Sequence, residues 1–199
     1  MQLVDFINRI HNRLFFLKRS IYMYSTSPIK MVLMRMRGIK ISDCKFYGNV
    51  CFLRGKNTSI SIGKNCIFRN TQESNQIGVN HKCIFSTQYE GAKLTVGEHC
   101  GFSGTTIGCF KEITLGDNVR CGANTLITDS DWHLDDPRSG DSKSIHIGDN
   151  VWLGYGVVVM KGVTIGENSV IGLNSVVTKS IPANCVAAGN PCKIIKQQQ

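Results

Sequence analysis

From Ile147 to Val177 the branched aliphatic residues fall six apart, at Ile147, Leu153, Val159, Ile165, Ile171 and Val177. Neither a helix, with its period of 3.6, nor a strand, with its period of 2, produces that spacing. Glycine follows the aliphatic residue at Gly148, Gly154, Gly166 and Gly172, and asparagine stands three after it at Asn150, Asn168 and Asn174. Both residue types tolerate positive φ, so the pattern predicts a short strand and a turn in every hexad. Such units bury an apolar face only by stacking, and three of them closing a triangular coil of about 18 residues is the economical arrangement. Four residues after successive ladder positions stand Cys66, Cys100, Val119, Val151, Ser169 and Ser175, the compact side chains that a bend admits.

Toward the N-terminus the count is less regular. From Ile41 it gives Tyr47 and Leu53, then Ile62 and Phe68, a weak repeat at Ile77 and Cys83, and a restored frame at Val96 and Phe102. Leu115, Cys121 and Ile127 continue it after one extra residue. Between Ile127 and Ile147 lie 20 steps where a full coil takes 18, and the ladder there gives way to acids, Pro137 and Gly140. Part of that coil is expected to leave the wall as a loop, and loops on a rigid scaffold are where chemistry tends to sit. Before the repeats, Leu3, Ile7, Ile10, Leu14, Leu17 and Ile21 recur every three or four residues with Arg9, Arg13 and Arg19 between them. This predicts an amphipathic helix over residues 2–23, ended by Ser25 to Pro28, with a second apolar and basic run from Ile29 to Lys40. The expected organisation is a basic helical arm over 1–40, a solenoid over 41–182 with a loop near 128–146, and a tail over 183–199.

Charge sharpens this division. Of the formal net charge of +9, +7 belongs to residues 1–40, which hold eight Lys/Arg and only Asp5. No nucleic-acid module with interleaved aromatic or base-reading side chains accompanies the basic residues, so a nucleic-acid partner is excluded. The arm has two readings: a cap over the open end of the solenoid or packing against a neighbouring subunit, which solenoid ends favour, and peripheral docking of residues 1–24 to an anionic membrane surface. Nine cysteines without a CxxC pair argue against a disulfide framework or a zinc ribbon and for a reducing compartment. No stretch reaches the roughly 18 to 20 apolar residues of a membrane span, and no signal peptide is evident, so a cytoplasmic location is expected, with the inner membrane surface as the peripheral variant.

The chain resembles the hexapeptide-repeat acetyltransferases in the ladder from Ile147 to Ile171 and in the terminal segment VVTKSIPANCVAAGNPCKIIK, from Val176 to Lys196. Galactoside and maltose acetyltransferases are among the members it is similar to, together with those acting on capsule or lipopolysaccharide. The resemblance implies an all-β solenoid, a left-handed parallel β-helix of hexapeptide repeats, here with an N-terminal α-helical segment. It implies acetyl-CoA as co-substrate, a saccharide acceptor and a homotrimer with active sites between subunits. His133, the one histidine in the irregular run from Thr128 to Asp141, precedes Asn150-Val151-Trp152-Leu153-Gly154 in the order in which the family places its catalytic histidine. A neutral imidazole accepts a proton from an alcohol, and Asp129 and Asp131 are near enough in sequence to orient it. Trp152 is either wall packing or, as in the family, a flat border of the active site. Asn124 either orients an acetyl carbonyl or holds a turn.

By the same resemblance Tyr155 and Leu173 stand where a Ser and an Ala contact the coenzyme through backbone, Gly154 and Gly172 belong to the same coenzyme-binding set, and Thr178 and Lys179 match a Thr-Lys pair beside the nucleotide. Lys193 replaces an arginine that approaches phosphate, and Lys196 stands where the family has Arg or Lys. No metal is expected, because the closely spaced histidine pair that a zinc enzyme of this fold needs is missing. The leading function is O-acetylation of a sugar hydroxyl in cell-surface polysaccharide synthesis or modification. The alternatives are N-acetylation of an amino sugar, acetylation of serine, and, in a different class, a catalytically silent scaffold.

Overall fold

In the computed structural model residues 2–197 are described; the side chains of Gln2 and Leu3 lie outside that description, and so does Leu3's part in the apolar stripe, along with the last two residues of the expected tail. One helix, α1 (Gln2–Met36), precedes twenty strands arranged as three faces of a prism. The first face stacks β1 (Lys40–Ile41), β4 (Ser59–Ile62), β7 (Lys93–Val96), β10 (Glu112–Leu115), β13 (Ile145–Ile147) and β16 (Thr164–Ile165). The second stacks β2 (Lys45–Tyr47), β5 (Ile67–Arg69), β8 (Gly101–Ser103), β11 (Arg120–Cys121), β14 (Trp152–Leu153), β17 (Val170–Ile171), β19 (Cys185–Ala188) and β20 (Lys193–Gln197). The third stacks β3 (Cys51–Arg54), β6 (Ile84–Thr87), β9 (Thr106–Cys109), β12 (Leu126–Thr128), β15 (Val158–Val159) and β18 (Val176–Val177). Every pairing is parallel except that of β19 with β20.

All six ladder residues from Ile147 to Val177 are fully buried, and so are the small residues at the bends, from Cys66 to Ser175. Register explains why the ladder works: Ile147 pairs with Ile165, Leu153 with Ile171 and Val159 with Val177, so each aliphatic side chain rests on the next coil's. In the N-terminal coils phenyl rings take this place. Phe46, Phe68 and Phe102 occupy equivalent positions on the second face, with stacked ring centroids 4.9 and 5.2 Å apart, and Phe52 and Phe85 meet them from the third. Burial holds the thiols of Cys83 and Cys109, which line this same core, up at about 12, which fits compact core residues rather than nucleophiles.

The structure corrects several expectations. The ladder residues after Ile41 are Phe46 and Phe52, not Tyr47 and Leu53, because the first corner is one residue short; Leu53 is 48% exposed. Ile77 is not a wall residue either. Residues 70–83 leave the wall at the corner between the second and third faces, and the Asn70 side chain closes the excursion by accepting the Cys83 amide at 2.8 Å. Third, Ile127 lies on the third face and Ile147 on the first, positions that are six steps apart in a regular coil such as Val159 to Ile165. Of the 20 steps between them, the 14 beyond those six are therefore an excursion inserted at one corner of an otherwise complete coil.

The fourth correction concerns α1, which does not stop at Pro28 but runs through it to Met36. The Ser27 hydroxyl accounts for much of this: it donates to the Met23 carbonyl at 2.7 Å and accepts the Phe46 amide at 2.9 Å, fastening the helix to β2 where the proline has weakened its own ladder. Lys30 reaches the Gly48 carbonyl and Arg35 the Ile41 carbonyl, and Met23 and Met34 are buried. The second half of the helix thus covers the open end of the solenoid. Gly38, at φ 77°, ends it, with amides of Gly38 and Ile39 returning to the carbonyls of Arg35 and Met34.

The repeat glycines also act differently from expectation. Asn150, Asn168 and Asn174 do adopt positive φ, but Gly148, Gly154 and Gly166 do not. A Cβ on these glycines would come within 2.7, 2.7 and 2.2 Å of backbone in the following coil, so close stacking is what requires glycine there. Phe68→Ala, in the middle of the phenyl stack, should lower unfolding free energy by about 3–5 kcal/mol in urea denaturation, whereas Leu53→Ala should cost less than about 1 kcal/mol.

Candidate functional site

The loop over residues 130–143 departs from the corner between the third and first faces. Backbone hydrogen bonds close its base, from the Lys143 amide to the Asp129 carbonyl and from Gly162 to Lys143, each at 2.9 Å. Trp132, at φ 69°, lays its indole against Gly108 of β9, where a Cβ would come within 2.3 Å of the ring. Its ring N–H donates to Thr128 at 2.9 Å, and Phe110 packs edge-on at 5.2 Å. A bulky residue in the left-handed region is strained, and here three contacts hold it. The next residue is His133, solvent-exposed, whose carbonyl accepts both the Ser139 hydroxyl and the Asp136 amide. Its imidazole has no hydrogen-bond or ion-pair partner among the described residues.

Neither aspartate orients that imidazole. Asp129 is fully buried, and its carboxylate accepts the amides of Phe110, Lys111 and Glu112 at 2.7 to 2.9 Å, holding the turn between β9 and β10. Asp131 binds Lys161 Nζ and the Gly140 amide, and Lys161 also donates to the Gly140 carbonyl at 3.0 Å. The Lys161 ammonium, followed by the Gly140 amide, holds the Asp131 carboxyl below the usual carboxylate range. Both acids fix the loop, which corrects their expected role as partners of His133. The sequence signals for Trp132 and Lys161, both unnoticed in the pattern of sixes, were a strand glycine at Gly108 and a lysine at the equivalent corner one coil on.

The remaining candidates gather elsewhere. Trp152, 54% exposed, Gly154, Tyr155, Gly172 and the 68% exposed Leu173 line a groove of about 460 Å³ at the corner between the second and third faces. Asn75 and Ile77, from the 70–83 excursion, complete it. Asn124 stands beside this groove but is committed to the same excursion: its Oδ1 accepts the Asn80 amide at 2.9 Å and its Nδ2 donates to the Gly78 carbonyl at 3.2 Å. Both side-chain polar atoms are thus engaged with the excursion's backbone. Trp152, Val170, Val186 and Lys196 are register partners, so Lys196, with Lys193 on the same strand, continues the row of Trp152 across the second face. Thr178 and Lys179, both exposed, follow the last strand of the third face, on the His133 edge. The candidate residues of one chain thus fall on two different edges of the prism.

Residues 144–179 match the pattern of the bacterial transferase hexapeptide (six repeats). Over 89 residues the chain is 42% identical to the galactoside O-acetyltransferase of Escherichia coli strain K12; the match covers 43% of this chain and 44% of that protein, so the chain spans less than half the length of this curated relative. Among solved structures, the polySia specific acetyltransferase NeuO aligns with a TM-score of 0.64 and 29% identity, over 78% of this chain and 69% of that one. AntD, an N-acyltransferase from Bacillus cereus, aligns with a TM-score of 0.63 and 16% identity over 85% of this chain and 88% of that one, a likeness of fold alone. The match over residues 144–179 and the three-faced parallel solenoid agree with the expected left-handed parallel β-helix of hexapeptide repeats.

The ion pair of Asp131 gives the His133 loop a pH dependence. Because the folded-state pKa of Asp131 is depressed, its contribution is present above the unfolded value of about 3.9 and is lost as pH falls through the folded value. Protection factors of the Asp136, Ser139 and Gly140 amides, which remove the intrinsic pH dependence of exchange, should therefore hold from pH 7 down to about 5 and fall below about 4. Lys161→Met should bring the protection factors at pH 7 to those of the acidified wild type.

Proposed function

We propose that this hexapeptide-repeat chain is an acetyl-CoA-dependent O-acetyltransferase acting on a sugar hydroxyl, in the synthesis or modification of cell-surface polysaccharide, with His133 as general base. The observation that carries it is a solvent-facing imidazole, unpartnered among the described residues, on a loop held by the packing of Trp132, the Lys143 and Gly162 amide bonds and the Asp131–Lys161 pair. The likeness to an O-acetyltransferase of galactosides and to a polySia specific acetyltransferase supports the saccharide class.

Acetyl-CoA supplies the activated acyl group. Glycines at 154 and 172 leave the corner beside Trp152 open to an extended coenzyme, and Lys193 and Lys196 offer cations to its phosphates as point charges. Trp152 gives the acceptor a flat apolar surface. Neutral His133 takes the acceptor's hydroxyl proton as that oxygen attacks the thioester carbonyl, and the imidazolium returns the proton to the departing thiolate. His133 and Trp152 lie on different edges of one prism, so the working site needs His133 of one copy opposite the Trp152 groove of another. A homotrimer meets that need with three identical sites.

His133→Ala should lower turnover by roughly 10² to 10⁴-fold while melting temperature and acetyl-CoA affinity stay near wild type. Near-normal turnover would remove His133 from catalysis. Co-assembly of His133→Ala with inactive Trp152→Ala should restore roughly a quarter of the wild-type sites, since random mixing leaves that share with both residues intact. Failure of mixed particles to regain activity would count against a shared site.

The first half of α1 supports a cytoplasmic enzyme that touches the inner membrane surface. Ile7, Ile10, Leu14, Leu17 and Ile21 form an exposed stripe flanked by Arg9, Arg13 and Lys18, and among the described residues no helix is long and apolar enough to cross a membrane. A basic amphipathic helix of this kind suits an anionic interface. Vesicles containing phosphatidylglycerol should sediment the full chain at low salt and leave a chain lacking residues 1–18 in solution; equal behaviour of the two would refute the contact.

A further inference from the structure

The second face carries a pocket of about 440 Å³ adjoining Trp152, walled by Arg69, Arg120, His99 and Asn75 and floored by Gly101. Gly101 is the outward residue between Ile67 and Arg120, its register partners on either side. Its φ is not in the left-handed region, and a Cβ there would meet no heavy atom within 4 Å. The corner glycines differ sharply: at Gly97, Gly116 and Gly122 a Cβ would come within 2.1 to 2.5 Å of a neighbour. Neither strain nor crowding within the chain calls for glycine at 101, and a strand glycine weakens the element that holds it. Such a residue marks a place where something else approaches the backbone.

What approaches is indicated by charge. Arg69 and Arg120 stand two strands apart across the face, about 10 Å, and are offset by two residues along it, since Arg69 pairs with Ser103 and Arg120 with Gly101. The pocket lining contains no carboxylate, and neither guanidinium has an acidic partner among the described residues. Arg69 is half-buried, 5.9 Å from the Tyr47 ring centroid, and burial followed by the charge of Arg19 pushes its pKa below the usual arginine value. A partly desolvated, unpaired guanidinium is costly unless an anion meets it. The planar fork of arginine matches a carboxylate in two parallel hydrogen bonds. Asn75, held by its bond to Ser103 Oγ at 3.1 Å, brings the 70–83 excursion over the same pocket.

We propose that this pocket is an acceptor subsite that receives a carboxylated sugar over the bare backbone of Gly101, between Arg69 and Arg120, so that the acetylated saccharide is an acidic one. The proposal rests on the reading of the Trp152 groove as the acetyl-transfer site and adds the substrate class. The same guanidinia would suit a coenzyme phosphate, and the experiment separates the two.

Titration calorimetry on the assembled full chain, with trisaccharides of galacturonic and of glucuronic acid, with their methyl esters, and separately with CoA, reads binding without depending on turnover. One acid should bind at least about tenfold more tightly than its ester, the effect of one or two charge-assisted hydrogen bonds. Gly101→Leu extends into the pocket from a Cβ position with no heavy atom within 4 Å, so it should keep its melting temperature and lose the preference; Arg69→Gln and Arg120→Gln should lose it as well. CoA affinity should stay within about twofold of wild type in all three. Equal binding of acid and ester, or a preference that survives Gly101→Leu, would overturn the subsite. A loss confined to CoA would overturn it too, by making the pocket a phosphate site. A carboxylate preference in a chain that binds no CoA would uphold the subsite while removing the acetyltransferase reading.

Discussion

Successive coils stack at the spacing of a parallel sheet, and nearly every local choice in this protein follows from keeping that spacing at the corners. The prism turns three times per coil, and at each turn the backbone of one coil passes against the backbone of the next. Where Gly148, Gly154 and Gly166 sit, even a methyl group would collide with the following coil. Where Asn150, Asn168 and Asn174 sit, the chain needs positive φ, which asparagine adopts at modest cost. The interior then fills itself: aliphatic side chains stacked on their register partners in the C-terminal coils, phenyl rings in the N-terminal ones. Asp149, Asp117 and Asn168 add polar ladders along the outside, with carboxylate and amide groups reaching from coil to coil.

A stack of this kind accepts insertions only at its corners, because residues added inside a strand would shift the ladder out of register with both neighbours. Both excursions obey that rule, and each is closed by a side chain that stands in for the interrupted backbone. Asn70 does so for residues 70–83, and Asp129, with three amides of the neighbouring turn, does so at the foot of residues 130–143. Rigid walls around one continuous core, with two tethered corner loops, explain how the solenoid can hold functional groups in fixed positions. They also explain why the groups are divided: the loop carrying His133 and the groove beside Trp152 spring from different corners, and stacking cannot bring corners of one prism together. The helix is the one element outside the repeat, and its second half covers the end where stacking stops.

The period of six by itself determined the solenoid, the ladder from Ile147 to Val177 and the small residues at the bends, because every coil repeats the same packing problem and so repeats its solution in the sequence. It also marked where the wall is interrupted, since an insertion erases the repeat. What the repeat could not convey is which face a residue occupies once the count slips. One missing residue after Ile41 moves the ladder to Phe46 and Phe52, and an insertion of 14 residues between Ile127 and Ile147 brings the spacing close to that of a full coil. Nor could local sequence reveal that Asp129 and Asp131, so close to His133 along the chain, face away from it toward the Phe110 turn and Lys161. That Pro28 lies within a helix, that Asn124 is spent on the Gly78–Asn80 backbone, and that Gly101 lies open between two unpaired arginines were likewise decided by the tertiary structure. Each depends on partners 18 or more residues away in the chain, whose proximity exists only after the coils have stacked.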